Sequence, residues 1–144
     1  MELKNRQAFF EYHIDEHYVA GMMLTGTEVK SLRAGRASFN DSYCQIHKGE
    51  MILKSLHIAE YSHGTVNNHD PVRDRKLLLQ KREIRKIAAK LKEKGYTLVP
   101  LRIFFTEKNL AKIEIGLAKG KKLYDKRESI RKRDVDREMK RNEG

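Results

Sequence analysis

The strongest constraint on the fold lies between residues 97 and 117. Leu101, Ile103 and Phe105 alternate in the run 97–105, and Ala111, Ile113, Ile115 and Leu117 alternate in the run 110–117. A period of two places each set on one face of a strand. The intervening segment 106–109 (Thr-Glu-Lys-Asn) is short enough to close a hairpin. An isolated hairpin does not fold stably in water, so further strands or a helix must cover the apolar face.

Candidates for those strands lie upstream. Residues 9–14 alternate, with Phe10, Tyr12 and Ile14 on one face and Glu11 and His13 on the other, and read as a strand. Residues 18–24 read as a second, apolar strand in which Gly21 marks a bulge or a close approach. Residues 42–47 and 51–56 form a hairpin around Lys48-Gly49, and residues 75–79 a short buried strand. Between these strands Thr25 and Glu28 have the spacing of a capping box, Val29 and Leu32 supply an apolar contact one turn apart, and Gly35 is placed to end the helix with positive φ. A second helix spans 81–94, where Ile84, Ile87, Ala88 and Leu91 make one stripe before Gly95. Its other face carries Arg82, Arg85, Lys86, Lys90 and Lys92; a solvated face explains them, with RNA contact the alternative. About six short strands with two helices favour a closed antiparallel β-barrel over an open sheet. The expected class is mainly β with flanking helices.

The composition changes after Leu117. Residues 119–144 hold eleven Lys/Arg and six Asp/Glu, and their large apolar residues are only Leu123, Tyr124, Ile130, Val135 and Met139. So few cannot offset the ordering entropy of the segment. Residues 130–141 lack Gly and Pro and are able to form a helix. The expected organisation is a barrel domain over 1–118 and a basic tail over 119–144, disordered alone and helical on its target.

Several chemistries can be set aside. Cys44 is the only cysteine, so no intramolecular disulfide forms, as in a reducing cytoplasm. No apolar run reaches the roughly 18 residues of a membrane helix, and the first six residues lack the apolar stretch of a secretory signal. The expectation is a cytoplasmic protein without a membrane partner. His13, Glu16 and His17 match H-x-x-E-H, but that zinc-hydrolase pattern needs a helix and the flanking residues alternate as a strand. Residues 116–122 resemble a phosphate-binding loop with too few residues between the glycines and no Ser/Thr after Gly-Lys. Neither a catalytic site, a metal site nor a cofactor is expected.

The charge points elsewhere. Net charge is +11 over 144 residues, which favours a polyanionic partner because phosphate neutralisation releases condensed counterions. The stretch 68–76 (Asn-His-Asp-Pro-Val-Arg-Asp-Arg-Lys) lies in a long polar loop and combines an amide, an imidazole and three cations. Such a loop can contact phosphates, 2′-hydroxyls and splayed bases, and a merely solvated loop fits the composition equally well. Phe39, Tyr43 and Tyr61 can stack bases, although core packing explains them too.

Long, ordered motifs now resemble one family. They are residues 20–35 (AGMMLTGTEVKSLRAG), Asn5-Arg6, Asp41-Ser42-Tyr43, 68–79 (NHDPVRDRKLLL), 94–101 (KGYTLVPL) and 118–127 (AKGKKLYDKR). Together they are similar to the SmpB family of SsrA-binding proteins. Tyr124 stands where some relatives have histidine, and Gln80 and Ala89 where His and Gly are expected.

The resemblance implies an oligonucleotide-binding-fold barrel that binds the tRNA-like domain of tmRNA at its elbow, as a monomer. It further implies delivery of alanyl-tmRNA with elongation factor Tu to stalled ribosomes, the protein standing where an anticodon stem would be. By position, Glu28 belongs to the RNA-binding surface with Asn5, Arg6, Lys30, Asn68, His69, Arg73, Arg75 and Lys76. A carboxylate fits there if it accepts from base N–H groups or orients a neighbouring cation. Gly120, Lys121, Lys122, Tyr124, Asp125, Lys126 and Arg127 belong to a tail that enters the empty mRNA channel of the small subunit and there becomes helical. The competing readings are a general structured-RNA-binding barrel, a metallohydrolase on His13, Glu16 and His17, and a structural protein of the ribosome.

Overall fold

The computed structural model describes residues 2–62 and 68–121. Its elements run β1 (Glu2–Lys4), α1 (Arg6–Glu11), β2 (Tyr12–Met22), α2 (Gly26–Arg33), β3 (Ala37–Ser38), β4 (Tyr43–His47), β5 (Glu50–Lys54), β6 (His57–Ile58), β7 (Arg75–Leu78), α3 (Lys81–Leu91), β8 (Tyr96–Phe105) and β9 (Ala111–Gly120). Seven strands form one antiparallel sheet in the order β1-β8-β9-β2-β7-β5-β4, and β3 pairs with β6 in a separate ribbon. The sheet curls until β4 packs against β8, which closes a barrel. The expected mainly β barrel with flanking helices is present.

The 97–117 pattern acts as expected. β8 and β9 pair along their length, with Ile103 opposite Ile113. Leu98, Ile103, Ile113, Ile115 and Leu117 enter the core with no more than a trace of exposure. They meet Leu53, Leu77 and Ile87 from β5, β7 and α3. The β4–β5 turn has positive φ at both Lys48 and Gly49, the backbone a two-residue hairpin requires.

Three expectations need correction, and the alternatives at Gly21 are resolved. Residues 9–11 are the last turn of a helix, not a strand; the strand starts at Tyr12 and runs unbroken through Met22. Asn5 caps that helix by accepting from the Ala8 N–H, and Ala8 is buried with Val99, Leu101 and Ala118 in a second apolar cluster. This packing outweighs the local alternation. The bulge in β2 falls at Asp15, between Ile14 and Glu16, while Gly21 serves close approach: a Cβ there would lie 3.4 Å from Leu78 Cδ1. The second helix ends at Leu91, earlier than residue 94. Among the described residues there are nine strands and three helices rather than six and two.

Asn5 also serves a second irregularity. Pro100 has no N–H for the ladder, and β8 shifts register between Pro100 and Arg102. Asn5 donates its side-chain amide to the Pro100 carbonyl at 2.7 Å and its backbone N–H to the Leu101 carbonyl at 2.8 Å. At the other end, β9 continues past residue 118, and Gly120 lies opposite Tyr12. Lys121 is described; the rest of the expected tail lies outside the described residues. Among the described residues no helix is long and apolar enough to cross a membrane.

Candidate nucleic-acid interface

The loop 68–74 and α2 come together because of one carboxylate. Thr25 and Glu28 form the expected capping box, with the Thr25 N–H donating to Glu28 Oε1 at 2.9 Å. This directs Glu28 inward, where its side chain has no exposure. Glu28 then accepts from Arg73 Nη2 at 2.7 Å, Arg73 Nε at 2.9 Å and Arg75 Nε at 2.7 Å. Burial alone raises its pKa, but the bonds from Arg73, the Thr25 N–H and Arg75 outweigh that and hold it below the usual carboxylate range.

The two arginines divide the labour. Arg75 has no exposure and donates also to the carbonyls of Leu56 at 2.6 Å and Pro71 at 3.0 Å. Burial lowers its pKa, opposed by Glu28. It is a structural strut joining β7, α2 and the loop. Arg73 is 34% exposed, and its bond to Glu28 raises its pKa. With its bonds to the carbonyls of Met23 and Asp74, both at 3.2 Å, four of its five N–H groups are engaged. The guanidinium is therefore fixed in orientation while its edge stays open to solvent.

His69 and Asn68 hold the rest of the loop. His69 is buried, with Nδ1 2.8 Å from Thr27 Oγ1 and Nε2 2.8 Å from the Ile58 carbonyl. A carbonyl can only accept, so Nε2 donates to Ile58, and Nδ1 pairs with the Thr27 hydroxyl. Asn68 clamps Tyr61 from both sides, accepting from its N–H and donating to its carbonyl, each at 3.0 Å. Lys30 is exposed on α2, with Nζ 5.4 Å from the centre of the Tyr61 ring. Lys76 is exposed on β7 and pairs with Glu50 at 2.8 Å.

The nine barrel residues thus separate into groups. Glu28, Arg73 and Arg75 meet directly, and Asn68, His69 and Lys30 lie on the same loop and helix. Asn5 and Arg6 belong to α1, on the β8 side; Asn5 is buried and Arg6 exposed. Glu28, Asn5, His69 and Arg75 are buried, which leaves Arg6, Lys30, Asn68, Arg73 and Lys76 as the surface members. Of the tail residues, Gly120 ends β9 and Lys121 is exposed; Lys122, Tyr124, Asp125, Lys126 and Arg127 lie outside the described residues.

An apolar component went unread in the sequence. Val19 (50% exposed) and Met23 (52%) lie on and just beyond β2, and Leu78 (51%) lies on the adjoining β7. The signal is their alternation with buried Ala20, Met22 and Leu77. An apolar group framed by Arg73 and Lys76 is the composition of an interaction surface. Conversely, His13, Glu16 and His17 lie on strand β2, not on the helix the zinc pattern requires, and His17 Nδ1 is 2.7 Å from Glu114 Oε2.

The family model described as SmpB protein matches residues 2–143. The SsrA-binding protein of Parabacteroides distasonis is 52% identical over 141 residues, covering 98% of this chain and 92% of the relative. That of Geobacter sulfurreducens is 56% identical over 135 residues, covering 94% and 88%. A solved chain described as "tmRNA-SmpB: a journey to the center of the bacterial ribosome" superposes with a TM-score of 0.74 at 50% identity, covering 94% of this chain and 95% of that one.

Proposed function

This chain belongs to the SmpB family, and from that premise we propose that it binds the tRNA-like domain of tmRNA and delivers alanyl-tmRNA, with elongation factor Tu, to stalled ribosomes for trans-translation. The observation that carries the reading is the clamp of Glu28 on Arg73. A structured RNA elbow offers phosphates and unstacked bases at fixed positions. A guanidinium already oriented meets them without further loss of rotamer freedom. Lys30 and Lys76 add charge beside it, and Val19, Met23 and Leu78 add surface on which a base or ribose can pack.

In this reading Glu28 serves RNA binding by orienting Arg73. It has no exposure and already accepts four hydrogen bonds, so it is not free to read a base. Arg75, His69 and Asn5 act through the scaffold, holding the loop and α1 in place. Arg6 acts on the α1 side.

The tail has a separate task in the proposal. It is disordered alone, enters the mRNA channel only where message is absent, and becomes helical against ribosomal RNA, with Gly120, Lys121, Lys122, Tyr124, Asp125, Lys126 and Arg127 nearest the decoding centre. Message would exclude it sterically and by occupying the same cationic contacts. Lys119 and Gly120 pair with β2, so the cut that tests this division follows Lys121. A chain of residues 1–121 is expected to keep near-normal tmRNA affinity and to lose peptide tagging. Loss of both together would refute the division.

The central test is sequencing of the RNA retained on the purified protein against total cellular RNA. Dominant enrichment of one alanine-accepting, tRNA-like species is the expected result. Even retention of structured RNAs would instead support a general RNA-binding barrel.

A further inference from the structure

Helix α3 carries a dense positive charge. Residues 81–94 hold seven Lys/Arg and two Glu. The apolar stripe of α3 is spent on the barrel, with Ile84 and Ile87 buried. Lys81, Arg82, Arg85 and Lys86 are exposed, and none of them lies within 4.0 Å of a carboxylate among the described residues. Lys54, Lys76, Arg73, Arg75 and Arg102 each have an acidic partner, while Lys4, Arg6, Lys48 and Lys108 have none within 4.0 Å among the described residues; α3 gathers its unpaired cations side by side along residues 81–86.

The first turn of α3 borders a cleft of about 380 Å³ against the β4–β5 turn, lined by Lys48, Gly49, Glu50, Lys81, Ile84 and Arg85. Glu50 is its one carboxylate and is neutralised by Lys76. The cleft is therefore cationic through Lys48, Lys81 and Arg85. Lys76 on β7 links it to the Arg73 surface, pairing with Glu50 of the cleft and lining the same pocket as Arg73.

The geometry points to this cleft and the exposed face of α3 as a track for the phosphate backbone of duplex RNA. The duplex would be a stem of the same RNA whose elbow meets Arg73. This inference rests on the RNA-binding reading above and adds a second, shape-reading contact to it. Exposed lysines and arginines without acidic partners release counterions from phosphates and read no sequence. A membrane surface fits less well: helices that lie on membranes insert a free apolar face, and the apolar face of α3 is occupied by the core.

The test uses the full chain and two transcripts, an RNA elbow with a full helical turn of stem and the same elbow without it. The variant is Lys48→Gln, Lys81→Gln, Arg85→Gln. Its three side chains are exposed and without carboxylate partners, so the fold is preserved, which circular dichroism verifies. A control of equal charge is Lys4→Gln, Lys108→Gln, Lys112→Gln. On the stemmed RNA the cleft variant is expected to bind more than tenfold more weakly at about 100 mM salt, and its slope of log K against log salt is expected to fall by about 2–3. The control should lose less on both measures, and on the stemless elbow the cleft variant should match wild type. Equal losses for the two variants on the stemmed RNA, or no loss for either, would overturn the track. So would a cleft variant that loses binding only to phosphatidylserine vesicles. If wild-type protein fails to prefer the elbow over an arbitrary hairpin of equal length, the parent reading fails instead, whatever the cleft variant does.

Discussion

Arg75 Nε donates to Glu28 Oε2 at 2.7 Å with both side chains wholly withdrawn from solvent. A carboxylate and a guanidinium in such a place are costly to desolvate, and their bonds to each other and to surrounding backbone offset that cost. The pair fastens α2 to β7, and through Arg73 it reaches the surface.

Removing one partner exposes the cost. Glu28→Ala leaves Arg75 charged and buried, and a loss of about 3–5 kcal/mol in unfolding free energy is expected from urea titration. Arg73→Ala removes a half-exposed partner instead, and less than about 2 kcal/mol should follow. RNA affinity should order the other way per unit of stability lost, with Arg73→Ala weakening elbow binding roughly tenfold in a folded protein. A fully stable Glu28→Ala protein would contradict the strut.

The same carboxylate predicts how stability follows pH. In the folded chain Glu28 titrates below the ordinary carboxylate range. As pH falls past about 4.3 the unfolded chain takes up this proton first. The contribution of Glu28 is thus complete above that value and lost as pH drops through the folded pKa. The stability gap between wild type and Glu28→Gln, measured by denaturant titration, should be widest near neutrality and narrow with acidification. A gap that ignores pH would show that Glu28 is not the group responsible.

His69 tests the loop. His69→Ala removes the donor to the Ile58 carbonyl and the partner of the Thr27 hydroxyl. A loss of about 1–3 kcal/mol is expected, together with faster amide exchange in residues 68–74. Unchanged exchange there would mean that the imidazole does not hold the loop.

Gly116 tests the crowding under α1. A Cβ at this position would lie 2.9 Å from both Ile14 Cγ2 and Leu101 Cδ1. Leu101 is fully buried, so its side chain cannot move freely. Gly116→Ala should cost about 1–3 kcal/mol. A variant as stable as wild type in thermal unfolding would show that this layer repacks at little cost.

Where periodicity was long, the amino-acid pattern alone determined the element. The alternation around Ile103 and Ile113 specified a hairpin, and the stripe Ile84, Ile87 and Leu91 specified a helix, because repeated burial on one face leaves few alternatives. Local chemistry likewise placed the Thr25–Glu28 cap, the positive φ of Gly35 and the turn at Lys48-Gly49. Short segments were decided by contacts remote in sequence. Residues 9–11 could pass for a strand until Asn5 met the carbonyls of Pro100 and Leu101, and β1 exists only because β8 offers it an edge. The site divides in the same way. Composition identified the basic loop, but only the fold could decide that Arg75, His69 and Glu28 turn inward while Arg73 and Lys76 remain outside. Burial of a charge depends on which partners the tertiary structure brings within hydrogen-bonding distance, and for Arg75 two of them, Leu56 and Glu28, are 19 and 47 residues away along the chain.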